Sequence, residues 1–213
     1  MHSTVNTSTT SAAATSGRRR PNLRWRVVDI VVASVVGVAA GLIFWAWGIG
    51  YTPIATPLEA LLPGAQSLTG GVWLFAGVLG GLIIRKPGAA IYTELVAAAV
   101  SALVGTQWGP LTLVSGLVQG LGAEIVFAAF LYANYRVYVA VLAGAGAGLA
   151  LGINDSILWY PGLGSTFYAV YITCAVIGGA IVAGLLSWVI ARALARTGAL
   201  NRFAAGREVT ARA

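Results

Sequence analysis

Charge is scarce in this 213-residue chain. Charged residues make up 9% of it, six are acidic, and there is one histidine, one cysteine and a single lysine, Lys86. One cysteine, Cys174, set in an apolar run, excludes a disulfide frame or a cysteine metal cluster and reads as a small buried filler. The single lysine is followed by Pro87, so no Walker A pattern exists and ATP hydrolysis is not written into this chain. No His-rich, Cys-rich or Ser/Lys constellation points to an intramembrane enzyme, and no cofactor is called for.

What is abundant is apolar: 58% hydrophobic residues and 28 glycines. That composition describes a polytopic all-α membrane protein with room for about six spans. The net charge of +7 raises nucleic acid as a partner. The arginines instead punctuate apolar runs in short groups, which is the mark of topology. Spans are expected over 27–47, 68–84, 89–104, 112–132, 137–153 and 166–190. With the N-terminus in the cytoplasm, all 13 basic residues fall inside, so both termini are expected to be cytoplasmic.

The transmembrane unit is therefore read as 23–192. Residues 1–22, rich in Ser, Thr and Ala and ending in an arginine group, suit a disordered tail or a transit peptide. Residues 193–213 read as a basic cytoplasmic tail. Two longer connections, 48–67 with Pro53, Pro57 and Pro63, and 154–165, are expected to close over the outer side.

Within the spans, Gly116, Gly120, Glu124 and Ala128 recur at intervals of four and form one stripe, as do Ala33, Gly37 and Gly41, and Gly144, Gly148 and Gly152. Such stripes let helix backbones approach closely, within the chain or against a partner. Asp29, three residues after Arg26, reads as an ion pair at the membrane boundary.

Acids at membrane depth are costly, about 2.5–3.5 kcal/mol for a charged Asp at a helix centre, so they are expected to meet a cavity, a partner or a ligand. Glu94 and Glu124 are placed at similar depth by the rise per residue, with Trp73 and Tyr171 nearer the outside. The pair suits a cationic or donor-bearing ligand, a proton relay, or hydrogen bonding between helices. Gln119 is divided between ligand contact and helix cross-linking, and Trp73 and Tyr171 between ligand contact and packing. Tyr168 shares the face of Tyr171, while Asn154, Asp155 and Trp159 suit a pocket mouth. Trp25, Trp45, Trp47, Trp108 and Trp188 lie near span ends, where an aromatic belt accounts for them.

Four segments carry a resemblance: Arg24 to Val32 (RWRVVDIVV), Gly80 to Ala90 (GGLIIRKPGAA), Thr93 to Val96 (TELV) and Val118 to Ala129 (VQGLGAEIVFAA). They are similar to the YkoE family, the substrate-binding S components of energy-coupling factor (ECF) transporters for hydroxymethylpyrimidine and thiamine. The resemblance implies a six-helix S-component bundle with a vitamin site reached from outside. It also implies a membrane T component coupled to cytoplasmic ATPases, docked through a small-residue stripe of the first helix that Ala33, Gly37 and Gly41 match. Glu94 and Glu124 fall inside the matching motifs. Two function classes remain: a substrate-capture subunit for thiamine or its pyrimidine precursor, and a stand-alone proton-coupled secondary carrier using Glu94 and Glu124.

Overall fold

The apolar runs fold as helices. A computed structural model describes residues 23–210, so the N-terminal tail expectation lies outside the described residues. The order is α1 (Val27–Leu61), a 3-10 helix (Ala65–Leu74), α2 (Phe75–Ile84), α3 (Ala89–Val104), α4 (Leu111–Ala129), α5 (Val137–Leu158), α6 (Ser165–Gly178), a π-helical segment (Gly179–Leu186), α7 (Ser187–Arg196) and α8 (Ala204–Thr210). Five continuous stretches are long and apolar enough to cross a bilayer: Val27–Leu61, Ala65–Ile84, Leu111–Ala129, Val137–Leu158 and Ser165–Arg196. α3, of 16 residues, is apolar but shorter.

Two connections differ from the expected loops. α1 runs on through Pro53 and Pro57 to Leu61, and the 3-10 helix starts at Ala65. Proline inside a helix removes an i to i−4 bond, yet α1 continues through both positions. Thr56 Oγ1 donates to the Thr52 carbonyl at 2.8 Å within that stretch. α5 extends past 153 to Leu158, which puts Asn154 and Asp155 on a helix and not in a loop.

Close contacts define the directions. α1 and α3 run parallel, with Gly37 against Thr93 and Val96, and Gly41 against Ala97 and Val100. α4 is antiparallel to α3, Gly116 meeting Ala98 and Gly120 meeting Ile91. Gly144, Gly148 and Gly152 lie on the π segment and α6, again antiparallel. The connections after α1, α3 and α5 therefore share one end of the bundle, the mouth end. Arg26, Arg85, Lys86, Arg136 and Arg196 gather at the other, the basic end.

The basic end is tied by polar contacts. Asp29, fully buried, accepts from the Arg26 amide at 2.7 Å and from the Arg26 guanidinium at 2.9 Å and 3.2 Å, and it pairs with Lys86. Lys86 also donates to the Arg24 carbonyl at 2.6 Å, and Trp25 Nε1 donates to the Pro87 carbonyl at 2.9 Å. The expected ion pair thus becomes a three-residue junction between α1 and the α2–α3 connection. Within the segment read as a basic tail, Leu200 and Phe203 are buried, and the Arg26 guanidinium lies 5.9 Å from the Phe203 ring centre.

The stripe of Ala33, Gly37 and Gly41 is buried against this chain's own α3. It is not a free docking face, a correction to the expected partner contact. The reason is spacing: small residues at intervals of four admit the first helix that reaches them, and α3 does. A Cβ on Gly41 would sit 2.6 Å from the Ala97 carbonyl oxygen. Gly41→Val is expected to cost about 1–3 kcal/mol and lower the melting temperature in detergent. Leu42→Val, on the outward face, is expected to change stability by about 0.5 kcal/mol or less in the same melt.

Candidate functional site

The 3-10 helix positions one wall of a cavity at the mouth end. The single Ser67 hydroxyl proton is shared between the Tyr171 carbonyl at 2.6 Å and the Gly64 carbonyl at 2.9 Å, fastening the start of this helix to α6. Two turns on, Trp73 Nε1 donates to the Phe44 carbonyl of α1 at 3.3 Å. The indole is thereby set facing Trp108 and Tyr51, with ring centres 4.9 Å and 5.0 Å away. Tyr51 and Trp108 are 5.9 Å apart and close this triangle.

The cavity holds about 200 Å³. One water occupies roughly 10–15 Å³ on such a measure, so the space suits a small organic molecule. Glu94 of α3 lies at its floor and is 1% exposed. Its Oε2 accepts from the Gly77 amide of α2 at 2.6 Å, while Oε1 has no hydrogen-bond partner. Gly77 permits this approach, since a Cβ there would stand 3.0 Å from Oε2. Thr112 Oγ1, also on the wall, is buried and without a partner.

The opposite wall is built on Asp155. Its carboxylate accepts from Tyr171 OH at 2.9 Å and from Asn154 Nδ2 at 3.1 Å, and Asn154 Nδ2 also donates to Ser115 Oγ at 3.0 Å. Tyr160, Phe167 and Tyr171 stack with ring centres 5.1–5.5 Å apart. An acid floor, an aromatic triangle and a second acid can bind a flat ring bearing donors or a positive charge.

Of the residues singled out in the sequence, Glu94, Gln119, Trp73, Tyr171 and Trp159 line this cavity together. Asn154 stands behind the wall through Asp155 and Ser115. Tyr168 is not on it; its hydroxyl donates to the Tyr160 carbonyl at 2.9 Å. Glu124 is not on it either. Its carboxylate accepts from the Gly88 amide at 2.6 Å, the Ala90 amide at 2.9 Å and Tyr132 OH at 2.8 Å.

The two glutamates are therefore not brought together. Gly88 and Ala90 begin α3, so the Glu124 carboxylate lies roughly 6–9 Å nearer the basic end than Glu94. The run read as 112–132 ends its helix at Ala129, with Leu131 and Tyr132 at positive φ beyond it. That moves the helix midpoint outward and leaves Glu124 on the basic side. Burial, then the bond to Glu124, pushes the Tyr132 phenol up to about 12, so it remains a donor.

Tyr51, Trp108, Thr112 and Ser115 are cavity residues that sequence reasoning missed. Trp108, read as part of an aromatic belt, turns inward instead because the α3–α4 connection folds over the mouth. The signal available was its position beside Gly105 and Gly109, both at positive φ in a turn.

A family described as "ABC-type cobalt transport system, permease component" matches residues 28–150. A curated relative, "Putative HMP/thiamine permease protein YkoE" of Bacillus subtilis (strain 168), is 35% identical over 187 residues, 87% of this chain and 92% of the relative. The chain belongs to the YkoE family of ECF S components. A solved structure titled "Crystal structure of an S-component of ECF transporter" matches at a TM-score of 0.80 and 34% identity, covering 89% of this chain and 95% of that one. Both relatives are named as transport proteins, and this S component is a multi-pass membrane protein.

Glu124 of this S component acts as an external cap for α3, whose first residues have no side-chain cap of their own. Glu124→Gln retains one carbonyl oxygen for two amides and is expected to destabilise the protein by about 1–3 kcal/mol. Thermal unfolding in detergent, followed by circular dichroism, measures it.

Proposed function

We propose that this chain is the substrate-capture subunit of an ATP-driven vitamin importer, binding thiamine or its hydroxymethylpyrimidine precursor from the outside. The observation that carries the reading is Glu94: a carboxylate 1% exposed, with one oxygen unpartnered, at the floor of an aromatic-walled cavity. A buried acceptor of this kind is costly unless a ligand completes it. An aminopyrimidine supplies a donor for Oε1, and the Tyr51, Trp73 and Trp108 faces suit its ring or a thiazolium cation. The matching permease family is described by cobalt transport, yet among the described residues no group of three His, Cys, Asp or Glu gathers to hold a metal ion.

Topology supports the same direction. Six crossings follow if α3, about 24 Å long, counts as one, since it is enclosed by α1, α2 and α4 and need not match the lipid thickness alone. Both termini then lie in the cytoplasm of a plasma membrane protein, with the arginine-rich end inside and the cavity mouth outside. The ATPases and the membrane T component act from partner chains, because this chain has no nucleotide-binding motif. The carrier alternative needs Glu94 and Glu124 on one proton path, and Glu124 is occupied by three donors away from the cavity.

Trp73, Trp108 and Trp159 line the cavity, so their fluorescence reports on occupancy. Titrating the purified full chain with thiamine is expected to quench it saturably. Glu94→Gln keeps an oxygen for the Gly77 amide and so keeps the fold, but it is expected to weaken binding by about 10–100-fold. Undiminished affinity in that folded variant removes Glu94 from the site. Uptake into proteoliposomes holding this chain alone, driven by a gradient, replaces this reading with the carrier.

A further inference from the structure

The cavity carries acids and no base. Glu94 stands at the floor and Asp155 on the wall, and the lining includes no lysine, arginine or histidine. A third acid, Glu59, is exposed near the end of α1 on the same side. It follows the cavity residue Tyr51 by eight residues on the same helix, about 12 Å farther out along the axis, on the approach to the mouth. Arg26, Arg85, Lys86, Arg136 and Arg196 lie at the far end of the bundle. Backbone offers an anion little more, because the first-turn amides of α4 are already used. Thr112 N–H donates to Gly109 and Leu113 N–H to Pro110.

Thiamine and hydroxymethylpyrimidine are both alcohols, and their phosphate monoesters carry about −1.5 to −2 at neutral pH. We propose that the cavity is built to reject the phosphomonoester and admit only the free alcohol, with Asp155 and Glu59 as the specificity-determining charges. This rests on the vitamin-capture reading and adds the ionic form of substrate to it. An anion approaching the mouth passes the exposed Glu59 and then meets Asp155 in a partly desolvated wall with no counter-ion, where repulsion is weakly screened. Vitamin present on the mouth side as its phosphomonoester consequently has to be hydrolysed before capture. Water adds to phosphorus, the ester P–O bond breaks, and the alcohol and inorganic phosphate leave.

The test is tryptophan-fluorescence titration of the full chain in detergent with thiamine and, separately, thiamine monophosphate. The monophosphate is expected to bind at least about 100-fold more weakly. Asp155→Asn is expected to narrow that gap, but it disturbs the Tyr171 contact, so the exposed Glu59→Lys is the cleaner variant. It is expected to tighten monophosphate binding by about 3–10-fold relative to thiamine. Comparable affinity of the unaltered chain for both ligands overturns this inference and leaves vitamin capture standing. Binding of neither ligand by folded protein overturns both. A gap unchanged in the two variants removes Asp155 and Glu59 from the role assigned to them.

Discussion

Lipid offers helices no hydrophobic reason to associate, so this bundle depends on backbones coming close enough for dispersion to hold them. Gly41 on the Ala97 carbonyl, Gly122 on the Gly146 carbonyl and Gly148 on Ala175 are the points where that happens. The same constraint explains the irregular stretches. Gly71 in the 3-10 helix lies on the Gly178 carbonyl, and Gly144 meets Gly179 and Gly184 of the π segment. The 3-10 helix is mostly enclosed by protein, whereas the π segment exposes Ile181, Leu185 and Leu186 and keeps its backbone bonds within the helix. Where glycine and alanine give way to Tyr51, Trp73 and Trp108, the helices stand apart and the cavity opens.

Acidic groups divide along the same axis, although at the basic end the Tyr135 hydroxyl is buried without a partner. At the basic end each buried charge is saturated: Asp29 takes Arg26 and Lys86, and Glu124 takes two amides and a phenol. Removing a partner from such a set leaves an uncompensated charge, which costs more than the set contributes. At the mouth end the sets are incomplete, with Glu94 Oε1 and Thr112 Oγ1 unpaired on a cavity wall. The unsatisfied acceptor at the mouth end is the one that the proposed ligand would complete.

Much of this was legible beforehand. Apolar run lengths set the helix pattern, the arginine positions set one end apart from the other, and the cost of an intramembrane acid singled out Glu94. Trp73 and Tyr171 followed from depth and Trp159 from its place at the mouth, while Gln119 was divided between ligand contact and helix cross-linking. What was not legible depends on contacts between distant residues. Nothing in AxxxGxxxG says whether α3 or another chain fills Ala33, Gly37 and Gly41, because small residues record closeness and not the identity of the neighbour. Pro53 and Pro57 read as a loop because each removes a helical hydrogen bond, and the continuation of α1 through them is not written in the local sequence. Asp155 was placed at a mouth but not under Tyr171, a contact sixteen residues away in sequence.

The two glutamates show why residue type and depth alone do not separate a structural acid from a functional one. Glu94 sits in alanine-rich α3 and Glu124 in glycine-bearing α4, and each accepts from a backbone amide near a helix start. α3 begins abruptly at Gly88, with positive φ and no side chain to cap it, so its free amides need an acceptor from elsewhere. Glu124 supplies both oxygens and Tyr132 completes it. α2 instead grows directly out of the 3-10 helix, so its start is already part of a continuous helical stretch and Gly77 alone turns to Glu94. One oxygen of Glu94 is used and the other remains. The geometry of two helix beginnings, and not any difference between the acids, leaves the acceptor that the cavity presents.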